Sequence, residues 1–171
     1  MTVLQLIDEK DERLKQVCTK HEIDEATEKL VYDMIVTMQE HDGIGLAAPQ
    51  LGVMEQIFVI GHKDAGFVVC INPSWVPTTD AKLEKFQEGC LSFPHLALNI
   101  ERYNQVHCTF TNLKGETQTR LFNGVWAQAI QHEHDHLMGI TFDKRAKTSQ
   151  LSRALAIRKE KLKRIKKRSK D

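Results

Sequence analysis

Apolar positions along the chain fall into two periods. In "EATEKLVYDMIVTMQEH", Leu30, Met34 and Met38 recur every four residues with Val31 and Ile35 beside them, and this stripe predicts an amphipathic helix. Asp24 is placed to cap it and Gly43 to stop it. "QIFVIG" and "GFVVCINP" are short β-branched runs bounded by Gly, Asp and Pro, which read as strands. "QVHCTFTN" and "ETQTRLF" flank "LKG", a hairpin signal. Asn123 can cap a second helix over 124–137 that ends at Gly139, and Thr148 can start a third running nearly to the end. Helix, several strands, helix, helix is the order of an α+β fold, with mostly antiparallel sheets packed around the second, central helix and a C-terminal helix beyond it.

Length and composition narrow the class. A chain of 171 residues is expected to be a single domain, 1–171, large enough to fold without disulfides. Cys18, Cys70, Cys90 and Cys108 are scattered with no paired spacing, which suits a reducing compartment. "MTVLQLIDEKDERLK" is charged where a signal peptide needs an apolar core, and no apolar run approaches the roughly 18 residues of a membrane span. A cytoplasmic protein with no membrane partner is the expectation. Net charge is only +1, but the sum hides a basic end at about 149–170.

The densest chemistry lies in "QHEHDHLMG", Gln131 to Gly139. Residues i and i+4 share a helix face, so His132 and His136 project together and each can give a metal one nitrogen. Glu133 completes an HExxH pattern, in which the glutamate sits beside the metal without binding it. His134 points elsewhere and is expected in solvent; Asp135 also lies off the ligand face and can orient its neighbourhood by hydrogen bonding. The alternative is a polar surface helix, but the apolar run "VWAQAI" before the motif argues that the histidines face inward. A third ligand is needed. In the extended HExxHxxGxxH pattern it falls on Phe142, which cannot ligate, and the later acids, Asp143, Glu160 and Asp171, are poorly placed, so it should come from upstream.

Two upstream segments stand out. In "EGCLSFP", Cys90 lies on an irregular stretch after a strand, where a thiolate can point into a cleft, although a buried structural cysteine is the commoner fate. "GIGLAAPQLG" is a side-chain-poor loop that lets another backbone approach, with Gln50 as its one polar handle.

Together "GIGLAAPQ", "EGCLSFP" and "QHEHDHLMG" resemble, in this order, the three motifs of the peptide deformylase family. The resemblance covers most of the chain. It implies that Cys90, His132 and His136 ligate one divalent metal ion, that Glu133 is general base and acid, that Gln50 and the Leu91 N–H stabilise the oxyanion, and that Gly45 pairs with substrate backbone. The implied reaction removes the formyl group from formyl-methionyl nascent peptides. The implied metal is Fe(II), with Zn, Ni or Co also suited to a Cys-His-His set. Ile44, Phe86, Val125 and Ala129 are candidates for the methionine pocket. His95, Ala97, Trp126 and Gln128 depart from the family pattern, which bears on the residues after the first.

After Gln150 the chain is Lys and Arg with few acids, and Leu151, Leu155, Leu162 and Ile165 recur at helical spacing. Such a run attracts phosphates, or is simply a solvated helix. Through the resemblance, the ribosome becomes the expected partner of a monomeric enzyme. Two rivals are an RNA-binding module with a structural metal, which needs four protein ligands, and an ordinary zinc peptidase, against which the upstream cysteine counts.

Overall fold

A computed structural model describes residues 2–168. It is an α+β structure of seven strands and three α-helices among the described residues. Helix α1 spans Thr27–Glu40, α2 Gly124–Leu137 and α3 Thr148–Arg168. Strands β1 (Gly45–Ala47), β2 (Ile57–His62), β3 (Gly66–Pro77), β6 (Gln105–Thr111) and β7 (Thr117–Asn123) form one antiparallel sheet in the order β1-β2-β3-β6-β7. Strands β4 (Leu83–Cys90) and β5 (Phe93–Tyr103) form a separate antiparallel hairpin.

Burial explains the sequence patterns. In β2, Ile57 and Val59 face α1 through Val31, Met34 and Met38, while Phe58 and Ile60 face α2 through Ala127, Ile130 and Leu137. A sheet covered on both faces has no polar side, and so "IFVI" reads as a continuous apolar run. In β5 only one face is covered: Leu96, Leu98 and Ile100 are buried and alternate with exposed residues. They pack with Leu14 and Phe142, and with Leu151 and Ala154 of α3.

Local chemistry sets the element ends. Asp24 accepts from the backbone N–H groups of Ala26 at 3.0 Å and Thr27 at 2.9 Å and so holds the turn that leads into α1, while the cap position itself falls on Ala26, which makes no side-chain capping bond. Asn123 occupies the cap position of α2, yet its side chain makes no capping hydrogen bond. The β6–β7 turn is held by Asn112 Oδ1, which accepts from Lys114 N–H and Glu116 N–H, with Gly115 at φ +78°. The expected C-terminal helix is present as α3; Ser169 and Lys170 lie outside the described residues. The expected apolar stripe on it divides. Leu151 packs against the hairpin, whereas Leu155, Leu162 and Ile165 are exposed.

Past α2 the chain turns at Gly139, φ +69°, where a Cβ would stand 2.6 Å from the Lys15 carbonyl oxygen. The Leu137 carbonyl accepts from Cys18 N–H at 2.9 Å, so the N-terminal segment crosses the helix end in direct backbone contact. A side chain fits here neither conformationally nor sterically. Gly139→Ala is expected to lower stability by about 1–3 kcal/mol, read from urea unfolding. An unchanged midpoint would show that the crossing yields without cost.

Candidate active site

Helix α2 runs between the two sheets, touching β1, β2, β3, β6 and β7 on one side and β5 on the other. Its last two turns carry Gln131, His132, Glu133, Asp135, His136 and Leu137, all buried. His134 was expected in solvent; it is half-buried instead, its ring edge-on to Trp75 at 6.4 Å, because β3 extends beyond the predicted strand and reaches this side of the helix.

Cys90 ends β4, and Leu91 and Ser92 form the two-residue turn into β5. The segment expected to be irregular is thus a hairpin tip. The register shifts between Glu88 and Cys90, an irregularity that re-aims the strand end, and the cysteine comes to face α2. Cys90 Sγ is 3.3 Å from His136 Nε2, and one ligand atom each from Cys90, His132 and His136 lies within 4.8 Å of the others. Glu88 Oε2 is 2.9 Å from His132 Nδ1, which fixes the ring and leaves its Nε2 to the cluster. A thiol and two imidazoles converging this closely fit a divalent metal with borderline preferences.

Glu88 is itself held by Arg102, whose Nε and Nη2 donate to it at 2.8 and 3.1 Å. Arg102 Nη1 also donates to Asp135 at 2.6 Å, and Arg145 donates twice to Asp135, at 3.1 and 2.7 Å. Burial pushes the Glu88 carboxyl up, but hydrogen bonds from His132 and Arg102 outweigh it and hold the group at about 2. Asp135 therefore orients the site's surroundings, as its position on the helix suggested. Glu88 and Arg102 had no place in the sequence reading. The signal was present: Arg102 falls on the same alternating phase as Leu96, Leu98 and Ile100, and a cation at a core position demands a partner.

Glu133 Oε2 is buried and finds no hydrogen-bond partner among the described residues. Burial raises its carboxyl to about 7, against the pull of His132. Burial and the neighbouring His132 push His136 well down, while hydrogen bonds with Cys90 and Glu88 hold His132 up despite its burial. Gly45 explains itself here: a Cβ on it would stand 2.3 Å from Glu133 Oε1. Gln50 is buried with its Oε1 accepting from Ala47 N–H at 2.9 Å, which turns its amide N–H groups toward Cys90 Sγ at 3.5 Å and Ser92 Oγ at 3.4 Å.

A cleft of about 510 Å³ opens beside this cluster, and His136 lies behind its wall. Gly45, Gln50, Cys90, Leu91, His132 and Glu133 all border it. Of the four pocket candidates, Ile44, Val125 and Ala129 line it and Phe86 does not. Phe86 pairs with Ile100 within the β4–β5 hairpin, and the cleft begins at the next residue, Gln87.

A family model for polypeptide deformylase matches residues 3–152. The chain belongs to that family. The peptide deformylase of Thermotoga petrophila is 41% identical over 117 residues, 68% of this chain and 70% of that protein. The crystal structure of a peptide deformylase from Synechococcus elongatus in complex with actinonin superposes with a TM-score of 0.86 at 36% identity, covering 92% of this chain and 87% of that one. A class I type b peptide deformylase from Acinetobacter baumannii, bound to Met-Ala-Ser, does so with a TM-score of 0.78 at 29% identity, covering 84% and 98%. As a peptide deformylase the chain is a hydrolase. No helix among the described residues is long and apolar enough to cross a membrane.

Arg102 should therefore matter out of proportion to its distance from the cleft. Arg102→Met leaves Glu88 without its cation and Asp135 with Arg145 alone. Removing one partner of a buried ion pair typically costs about 3–5 kcal/mol. The urea midpoint is expected to fall accordingly; a shift under 1 kcal/mol would mean that the pair is replaceable.

Proposed function

We propose that the chain is one catalytic domain that removes the N-terminal formyl group from formyl-methionyl nascent peptides. One observation carries this reading: a Cys-His-His cluster beside a buried, unpaired glutamate in an open cleft, in a chain of this family. Cys90, His132 and His136 hold one divalent ion, Fe(II) as the native metal, with Zn, Ni or Co as substitutes. His132, Glu133 and His136 then serve as an HExxH site. The bound ion supplies Lewis acidity toward the formyl oxygen and toward a water. A thiolate ligand tempers that acidity, so the protein's own groups carry much of the work.

Glu133 is the general base. Its free Oε2 takes a proton from the attacking water and returns it to the amine as the C–N bond breaks. Gln50, its amide already turned inward by Ala47 N–H, and the Leu91 N–H donate to the oxygen on which charge develops. One such donor is typically worth about 3–4 kcal/mol of barrier. Gly45 brings the backbone of β1 against Glu133, leaving space for a formyl hydrogen and little for an acetyl methyl. Ile44, Val125 and Ala129 offer the apolar wall for methionine. The Met-Ala-Ser bound to the Acinetobacter baumannii relative fits a product of this class.

Metal-loaded protein should hydrolyse a formyl-Met peptide and spare its acetyl counterpart; equal rates would refute the assignment. Glu133→Ala is expected to keep its metal and lose about 10²–10⁴-fold in kcat. Loss of the metal instead would reassign Glu133 as a ligand. The base must be ionised, so kcat/KM rises with pH through the Glu133 pKa. Burial places that limb at about 7, and a bound dication moves it lower. An acid limb that survives in Glu133→Ala belongs to another group.

The basic half of α3 is the proposed ribosome contact of an otherwise monomeric, cytoplasmic enzyme. Lys159–Arg168 are exposed throughout, with Leu162 and Ile165 among the cations. Deleting the chain from Lys159 onward keeps the packed turns. Ribosome co-sedimentation at low salt should drop sharply, while turnover of formyl-methionine amide stays within a few-fold. Undiminished sedimentation rules out the docking role.

A further inference from the structure

Besides the apolar packing of Leu151 and Ala154, one charged side chain of the C-terminal helix reaches the rim of the cleft. Arg158, ten residues into α3, points back at the β4–β5 hairpin rather than into solvent. Its Nε–H donates to the Pro94 carbonyl oxygen at 2.8 Å, and its Nη1 lies 2.7 Å from Glu9 Oε2. The Arg158 side chain is only 12% exposed, unlike the lysines and arginines that follow it. Pro94 and the next residue, His95, both line the cleft. His95 has φ +63°, a left-handed conformation that a residue with a side chain keeps only where its surroundings impose it. Proline cannot donate a backbone hydrogen bond, and the Pro94 carbonyl leads directly into that strained residue.

We propose that Arg158 is a positioning residue for the peptide portion of the substrate beyond methionine: held by Glu9, it grips the Pro94 carbonyl and fixes the Pro94–His95 rim along which that portion lies. The reacting groups sit at the other end of the same hairpin tip and on α2, with restraints of their own in Gln50, Glu88 and Arg102. Loss of the grip therefore frees the rim without disturbing the chemistry. A guanidinium suits this task because its fork reaches a carbonyl and a carboxylate at once, which an ammonium does not.

The inference rests on the deformylase reading, and the test separates the two. Formyl-methionine amide and a formyl-Met tripeptide would be compared in wild type, Arg158→Ala, Arg158→Lys and Glu9→Gln, with metal content measured in each. Wild-type failure on both substrates defeats the deformylase reading. With wild type active, Arg158→Ala is expected to raise KM for the tripeptide about 5–10-fold while leaving kcat for both substrates, and KM for the amide, within twofold. Arg158→Lys should recover only part of the loss, and Glu9→Gln should show a smaller effect of the same sign. Equal KM increases on the two substrates, or none on either, overturn the proposal. Amide exchange gives a readout independent of turnover. Residues 93–97 should exchange about tenfold faster in Arg158→Ala and Glu9→Gln, with 45–47 unchanged; unaltered exchange at 93–97 overturns the grip itself.

Discussion

Five ionisable groups, Glu88, His132, Glu133, Asp135 and His136, lie buried within two turns of helix and one strand end, and Arg102 is what makes that burial tolerable. A lone carboxylate in such surroundings gives up its charge, as Glu133 shows by rising to about 7. Glu88 has the opposite fate, at about 2, because hydrogen bonds from His132 and from the guanidinium that grips both its oxygens outweigh burial. Two carboxylates of one chain, both buried near His132, are thus driven to opposite protonation behaviour. The ionised one orients a histidine; the other is left able to exchange a proton near neutrality. Neutralising Arg102 weakens that distinction, because it removes one of the two partners that hold Glu88 ionised and leaves His132 as the other.

The fold serves this arrangement through close backbone approach. Gly45 admits no Cβ because Glu133 occupies the space, and Gly139 admits none because the N-terminal segment does. The first closeness is chemical and the second is structural. Gln50 belongs to the same economy of space. Its backbone carbonyl accepts from Ile7 N–H at 2.8 Å while its side chain spans from Ala47 to Cys90, so the side-chain-poor loop is braced from behind as well as in front.

Much of this could be read from the chain, and the parts that could not share a cause. Helix α2 and its histidine face were legible because i, i+4 spacing is a one-dimensional signal. Cys90 and Gln50 were legible by their company in short motifs. The hairpin of β4 and β5 was not, since "EGCLSFP" looks irregular: a register shift before the cysteine and a proline just after the turn disguise two strands as a loop. Phe86 is a pocket candidate by proximity in sequence alone, and proximity does not say which side chains of a strand turn to the cleft: Gln87 and Glu88 border it and Phe86 does not. His134 was misplaced for a related reason. A helix wheel says which way a side chain points but not that a neighbouring strand, here β3 with Trp75, comes to meet it.

Helix α3 joins two regimes, and Arg158 marks the border. Before it, Leu151 and Ala154 pack under the hairpin. After it, every described residue is exposed, and the helix draws on the propensities of Lys, Glu, Arg and Leu, with the Lys163–Glu160 pair at 2.8 Å as modest support. Beyond Arg158 the helix extends about 15 Å at a rise of about 1.5 Å per residue. That is nearly twice the Debye length of about 8 Å at physiological ionic strength. The tip's positive charge is therefore largely screened from Glu88, Glu133 and the histidines, whose balance is set by contacts under 4 Å within the protein. Charge on the tail acts outward, on whatever lies in front of it. The helix meets the hairpin through short-range contacts, the packing of Leu151 and Ala154 and the hydrogen bond from Arg158 to the Pro94 carbonyl.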